Sequence, residues 1–426
     1  MLKIELETLT KAKSSLFISV LFLALFIYYI LNEKFRLWYI SIIFVLFYFY
    51  HLKNKQFIKP NISLIIFCSI SLLTCTLSYY VLDRFENIPN QGYLKTYKRL
   101  IDQYFWFIAF ITLPTVFYYN KFTPKIFYNI LLIVCCITFF YVSYFNILLD
   151  FNRGDLSQFF NPIISYDITL ISLSILTLCY SFYLKSKSSY LFLALSLLSM
   201  FTLILHGTRG TWLALPFIYS FIFLLYFKQQ SKKCFIFLAA VLMFIVINIS
   251  LANSPLKNRI SDLNNDTALI KNQSYQNSTG TRLVLWKSGI ELFKTKPILG
   301  ISLYGIEANN CKLAKQGKIP ECYQHLHSIY FNELAAHGIL GLLGLLVTLL
   351  IPFFFFLKDI FCANEKIKML AISGSVFTFF YAVCGLTEYY LFFLSTTFIY
   401  FLVVATLMSF IIIEKLHIRN SHLQSQ

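Results

Sequence analysis

Residues Gln324 to Gly344 read Gln-His-Leu-His-Ser-Ile-Tyr-Phe-Asn-Glu-Leu-Ala-Ala-His-Gly-Ile-Leu-Gly-Leu-Leu-Gly. Here the longest polar segment of the chain, 253–328, gives way to a long apolar run, 329–357. A helix needs about 20 apolar residues to cross a bilayer, and this run has them. In lipid its backbone must satisfy its own hydrogen bonds, which selects helix over open sheet. His327 stands at the junction, where a ring nitrogen can be wet on one side and desolvated on the other. Such a position suits proton transfer, because a histidine pKa is readily moved across neutrality.

Outward from this stretch the chain is of one kind. Its 426 residues are 58% hydrophobic and 13% charged, against roughly 25% charged in soluble proteins. Apolar runs cover about 15–31, 37–51, 61–82, 104–119, 126–149, 163–184, 189–206, 211–227, 234–252, 329–357, 367–386 and 389–413. The second is short and the last two are poorly separated, so eleven spans remain an alternative to twelve. The 47 Phe and 29 Tyr suit lipid-facing surfaces and interfacial belts. The reading is an all-α integral membrane protein of about 12 transmembrane helices, with one large extramembrane loop containing short helices. Three parts follow: 1–252, a bundle of about nine helices; 253–328, the loop; and 329–426, about three further helices and a tail. The first run, Ser15 to Leu31, is too long for the apolar core of a cleavable signal peptide and lacks a small-residue cleavage site, so it reads as the first span.

The net charge of +17 is scattered over short loops, which argues against nucleic-acid binding and for topology. With the N-terminus in the cytoplasm, that side holds 18 Lys and Arg, against 8 opposite once the ten in 253–328 are set aside. Long segments are poor witnesses to orientation. Both termini are therefore expected inside and 253–328 outside. Most cysteines lie in apolar runs and read as small buried hydrophobes. Cys311 and Cys322 lie instead in the polar segment, where an outer location would permit a disulfide.

The outer segments carry the residues with chemical potential. Segment 83–103 holds Arg84, Lys95, Lys98 and Arg99 with Asp83, Glu86 and Asp102, and segment 150–161 is Asp-Phe-Asn-Arg-Gly-Asp-Leu-Ser-Gln-Phe-Phe-Asn. Arg209 lies in His-Gly-Thr-Arg-Gly, so short a link that it is held at the membrane surface. It reads either as an arginine snorkelling to water or as a guanidinium gripping phosphate, with Gly207 and Gly210 opening the backbone to a ligand. Within the loop, Asp262 to Gly280 is polar, Asn-rich and expected to be irregular. Leu283, Trp286, Ile290, Leu292 and Phe293 then have near-helical spacing over Thr281 to Lys294, ended by Pro297. Arg282 at that helix start is either a solvated charge or part of an anion site. His325 competes with His327. A His-x-His metal pair finds no third ligand at matched spacing, so no metal and no cofactor is expected. Glu333 and His337, four apart, pair on one helical face. Glu388, at the last hairpin, is an outer carboxylate without an assigned role.

At this point the residues resemble a known family. His327-Ser328, nine residues, then Gly338-Ile339-Leu340-Gly341 is similar to the signature of the bacterial O-antigen ligases: His, then Asn, Ser or Gln, nine residues, Gly, two residues, then Gly, Thr or Tyr. Only His327 fits that register. Thr208-Arg209-Gly210-Thr211-Trp212 resembles the Ser-Arg-Gly-x-Trp of the wider ligase and polymerase superfamily, with Thr208 where Ser is common. Arg282, Trp286 and Pro297-Ile298-Leu299-Gly300 resemble a further piece. The likeness covers the second half of the chain.

The resemblance implies a glycosyltransferase on the periplasmic face of the inner membrane, in lipopolysaccharide biosynthesis. It would move a polysaccharide or oligosaccharide from undecaprenyl diphosphate to lipid A–core, without metal or nucleotide. His327 would be the base, and Arg209 and Arg282 would bind the diphosphate, with Ser328, Gly338, Gly341 and Trp286 in support. The chemistry is consistent with this. A diphosphate is a good leaving group whose charge must be held, and the acceptor hydroxyl needs a base. Direct attack would invert the anomeric centre. Rivals are an O-antigen polymerase, a protein O-oligosaccharyltransferase of the same superfamily, and a lipid-linked saccharide transporter. A transporter should show mid-membrane charge and symmetric halves, and neither is evident.

Overall fold

The structure is a computed structural model that describes residues 2–31, 38–83, 104–251, 254–271 and 275–424. The charged residues from Arg84 to Asp102 lie outside the described residues. Those described form helices and no strand. Every apolar run becomes helical: α1 Leu2–Ile30, α2 Trp38–Lys53, α3 Ile62–Asp83, α4 Tyr104–Ile111, α5 Leu113–Tyr119, α6 Pro124–Leu148, the short α7 Arg153–Phe159, α8 Ile163–Tyr183, α9 Ser188–Ile204 and α10 Arg209–Ser250. After the polar segment come α14 Ile329–Leu357, α15 Glu365–Cys384, a 3-10 turn Tyr390–Phe392 and α16 Leu394–Gln424. Among the described residues, seven helices are long and apolar enough to cross a membrane.

Local chemistry sets the breaks. The run 104–119 divides at Thr112, two residues before Pro114, whose ring and missing N–H do not fit a helix interior. α6 starts where the Thr123 side chain accepts from the Ile126 N–H and Pro124 takes the first turn. α10 has 42 residues and non-helical torsions at Gln230 (φ −138°, ψ 40°). Unbroken it would be about 63 Å long, twice the hydrocarbon core, so Gln230 divides it into two bilayer-length pieces. Beyond the break, Lys233 donates to the Ser181 and Leu184 carbonyls at the end of α8.

α8 is the buried axis, packed against α6, α9 and α15. Its small Ser and Thr residues permit that close approach. Ser172, Ser174, Thr177 and Ser181 bond back to carbonyls three or four residues earlier, which satisfies these four hydroxyls within the helix.

The polar segment is more ordered than its composition predicts. It forms α11 Pro255–Lys271, α12 Ser278–Thr295 and α13 Ser302–Lys315. The irregular stretch expected from Asp262 to Gly280 is helical up to Lys271 and again from Ser278. Ser254 caps α11 by accepting from the Leu256 N–H at 3.2 Å, and Pro255 pre-sets its first turn. The Asn277 side chain caps α12 by accepting from the Gly280 N–H at 2.8 Å. Cys311 and Cys322 are joined in a disulfide between the end of α13 and the chain that leads to His327.

One seam ties the polar segment to the bundle. α14 breaks at Gly338 (φ 65°, ψ −156°). There the Ile339 N–H donates to the Pro297 carbonyl at 2.8 Å, and the Ile301 N–H donates to the Ala335 carbonyl at 3.0 Å. Gly300 faces Gly338 across this seam with φ +70°. A Cβ on Gly300 would lie 2.3 Å from the Ala336 carbonyl carbon, and one on Gly338 would lie 2.4 Å from that of Ile298.

Gly300→Ala and Gly338→Ala should therefore each destabilise the protein by about 3 kcal/mol or more, combining backbone strain with a backbone clash. Gly317 has the same φ of +70° but nothing within 4 Å, so Gly317→Ala should cost only about 1–2 kcal/mol. Thermal melts of the three purified variants read this directly; equal losses at all three would contradict the packing account.

Candidate active site

The turn between α9 and α10 gathers the cations. His206 is fixed by its ring: Nδ1 lies 2.7 Å from Asp167 Oδ1 on α8, with both side chains fully buried, and the ring stacks on Phe160 at 5.1 Å. With the ring held, the backbone of the turn becomes a fixed acceptor. Arg153 of α7 donates to the His206 carbonyl. Arg259 of α11 donates from Nε to the Gly207 carbonyl at 3.2 Å and pairs with Asp262 at 2.7 Å. Arg209, the first residue of α10, donates to Asp266 of α11 at 3.0 Å, and Thr279 donates to the same oxygen at 2.8 Å. From α12, Arg282 donates to the Thr387 carbonyl at 3.3 Å and to the Ser278 hydroxyl at 2.8 Å.

These four arginines line one cleft of about 460 Å³, together with Trp212, Leu213, Ile260, Leu263, Leu283 and Trp286. Arg209 and Arg259 have aspartate partners. Among the described residues, Arg153 and Arg282 hydrogen-bond to carbonyl and hydroxyl oxygens, and Glu388 lies near Arg282. Burial, then the neighbouring Arg259, pulls the Arg153 pKa down to about 10. Burial also lowers that of Arg282, opposed by Glu388. Four guanidiniums gathered beside apolar walls offer planar forks of the shape that matches phosphate oxygens. A larger groove of about 880 Å³ at the opposite end is lined by Phe17, Leu46, Phe47, His51 and Asn120. His51 and Asn120 there bond to each other, leaving no comparable charge.

Beside Arg282 runs the 323–328 segment, held at many points. Asn310 donates to the Tyr323 carbonyl at 2.8 Å, and the Leu326 N–H donates to Asn332 Oδ1 at 3.1 Å. Trp286 Nε1 donates to the Leu326 carbonyl at 3.1 Å while its ring stacks on Phe331 at 5.3 Å. The Ile329 N–H donates to the Gly385 carbonyl at 2.9 Å. These ties hold His327 at φ 50°, a conformation that costs a non-glycine residue energy and persists only when its surroundings impose it. The last tie brings up the α15–α16 turn and with it Glu388. Its carboxylate lies 3.6 Å from His327 Nδ1 and 3.9 Å from His325 Nε2. Burial would raise the Glu388 pKa, but the two imidazoles and Arg282 outweigh it and hold it at about 2. Burial, then the neighbouring His327, lowers His325 to about 4.

The fold thus brings Arg209, Arg282 and Trp286 to one cleft, with His327 on the segment beside it. It adds Arg153 and Arg259, which sequence reasoning missed. Leu256, Ile260 and Leu263 do carry a helical spacing that would have placed Arg259 on a helix. Ser328 is fully buried and its hydroxyl has no partner. Gly338 makes the break in α14, and Gly341 sits against His337. Gly207 and Gly210 line the cleft, and they also make room for side chains: Arg259 lies over Gly207, and Thr387 over Gly210. Glu333 and His337 pair at 2.7 Å, and Tyr389 donates to the same carboxyl at 2.8 Å. The third metal ligand absent from the sequence spacing is supplied by the fold, since His325, His327 and Glu388 present ligand atoms within 4.8 Å. The adjacent Arg282 charge opposes a further cation there.

Known proteins match the same region. The sequence model of the O-antigen ligase family matches residues 192–346. An uncharacterised protein of Haemophilus influenzae is 27% identical over 218 residues, covering 49% of this chain and 54% of the relative. An O-antigen ligase of Escherichia coli K12 is 28% identical over 179 residues, covering 41% of this chain and 42% of the relative. The chain thus spans about half the length of these relatives.

The arrangement makes a binding prediction. Arg153→Gln and Arg282→Gln should each weaken pyrophosphate binding roughly 10-fold, the worth of one charge-assisted hydrogen bond. Lys294→Gln, on the exposed face of α12, should leave it unchanged. Calorimetry on the purified protein measures all three, and equal affinities throughout would remove the cleft as an anion site.

Proposed function

Through residues 192–346 the chain belongs to the O-antigen ligase family, and from that premise we propose that it transfers a polysaccharide or oligosaccharide from undecaprenyl diphosphate to lipid A–core. The observation that carries this is the placing of His327, held in a strained turn beside a cleft lined by four arginines. The cleft takes the donor diphosphate and its apolar walls the start of the prenyl chain. His327 removes the proton of the acceptor hydroxyl. The oxygen attacks the anomeric carbon, the bond to the phosphate oxygen breaks, and its electron pair leaves on the diphosphate held by Arg153, Arg209, Arg259 and Arg282. The anomeric centre inverts in a single displacement. A general base contributes about 10²–10⁴-fold; positioning and charge stabilisation supply the rest. No metal takes part in this reading.

Topology supports the sidedness. α10 and α14 begin, and α9 and α15 end, at the arginine cleft. With both termini cytoplasmic, about twelve crossings place that end and segment 253–328 in the periplasm, and the protein in the inner membrane. The 1–252 and 329–426 parts are then the membrane body around a periplasmic catalytic loop.

In a reconstituted assay with a carrier-linked glycan and lipid A–core, His327→Ala should lower transfer at least about 10²-fold with the protein level intact. Arg209→Lys should be severely impaired, because an ammonium cannot form the planar fork. Transfer should survive excess chelator. Near-normal transfer by His327→Ala would sink the base assignment, and loss of transfer in chelator would sink the metal-free reading.

A further inference from the structure

Two histidines face one carboxylate, and their hydrogen bonds give them different jobs. The His327 backbone N–H donates to His325 Nδ1 at 3.2 Å. That nitrogen is therefore an acceptor, and the proton of the neutral His325 ring sits on Nε2, toward Glu388 Oε1. Nδ1 of His325 is thus engaged within the protein, while its Nε2 faces Glu388 Oε1 at 3.9 Å. His327 differs. Its Nδ1 is buried, has no hydrogen-bond partner closer than Glu388 Oε2 at 3.6 Å, and faces that oxygen. A proton on Nδ1 is thereby directed at the carboxylate, and Nε2 keeps its lone pair for chemistry.

Glu388 is itself fixed. Its Oε1 accepts the Tyr389 N–H at 3.0 Å, and its side chain is 4% exposed. The turn that carries it is anchored to the start of α14 through the Ile329–Gly385 hydrogen bond and to α12 through Arg282 on the Thr387 carbonyl. A Cβ on Gly385 would lie 2.3 Å from Ile329 Cδ1, so the approach of this turn to the histidine segment is as close as a glycine permits. A buried carboxylate with no cation in a hydrogen bond to it, placed between two imidazoles, is out of keeping with a purely structural ion pair.

We infer that Glu388 is the positioning residue of His327, fixing the ring with Nδ1 protonated and Nε2 free, and stabilising the imidazolium that forms on transfer. The inference rests on the proposed function, since it gives Glu388 its part through the base named there. In the step, the acceptor O–H bond breaks and an N–H bond forms at Nε2. The positive charge so created on the ring lies beside the ionised Glu388, and the negative charge departs with the diphosphate. The proton later leaves Nε2 to solvent. His325 acts as a wedge: its Nδ1 holds the His327 backbone and its Nε2 faces the other carboxylate oxygen at 3.9 Å.

The experiment measures kcat and donor KM in the reconstituted assay for Glu388→Gln, Glu388→Asp, His327→Ala and the double variant. Glu388→Gln should lower kcat at least about 10-fold and leave donor KM within about 3-fold, because the arginines that hold the donor are untouched. Glu388→Asp keeps the charge and should recover part of the loss. The double variant His327→Ala/Glu388→Gln should be no slower than His327→Ala alone, as expected of groups that act as a unit. Full kcat in Glu388→Gln while His327→Ala is inactive would overturn the positioning role and leave the proposed function standing. Activity in His327→Ala would overturn the function itself. A raised donor KM with unchanged kcat in Glu388→Gln would make Glu388 a part of the binding cleft instead. Should Glu388→Gln fail to fold, the decision passes to Glu388→Asp, where kcat equal to that of the unsubstituted protein would overturn the inference.

Discussion

The backbone seam between 297–301 and 335–339 is the constraint on which the rest depends. Two hydrogen bonds cross it, and two glycines at positive φ allow them. On one side the seam fixes the end of α12, and through it Arg282 and Trp286. On the other it fixes the start of α14, and with it the segment that carries His327. The helices of the polar segment also bury Leu285, Leu303 and Ile306 in the common core, and the paired backbone groups add a fixed register to that packing.

Charge sets the second constraint. Four arginines converge with two aspartates to answer them. Like charges at this spacing destabilise a folded chain unless something offsets them. Here carbonyl oxygens of the 206–207 turn and of Thr387 do part of that work, and the buried His206–Asp167 pair keeps the turn in place. Glu388 beside Arg282 opposes the same accumulation of charge.

Much of this was legible in the sequence, for identifiable reasons. Apolar runs had to be helices because lipid leaves no alternative, and each one is. His327 and Arg209 were marked by their place at span ends and Arg282 by its place at a helix start, and the family resemblance gave the three their expected roles. What stayed hidden depends on contacts distant in sequence. Glu388 had no role on paper because its partners lie some sixty residues earlier in the chain. Arg153 and Arg259 looked like ordinary loop charges until one turn drew them together. Gly207 and Gly210 line the cleft as expected of an open backbone, and the side chains of Arg259 and Thr387 that lie over them could not be read from the sequence. The Asn-rich stretch looked irregular because composition outweighs capping in such a reading, whereas Ser254 and Pro255 start a helix there that Arg209 and Thr279 steady through Asp266.

The central claim is that this site joins a carrier-linked glycan to lipid A–core. Deleting the gene and resolving the lipopolysaccharide on a gel, beside an assay of carrier-linked glycan, tests it most directly. The account predicts bare lipid A–core, with glycan accumulating on undecaprenyl diphosphate. Core bearing a single repeat unit would contradict it in favour of a polymerase, and an unchanged gel with altered glycoprotein would move the acceptor from lipid to protein.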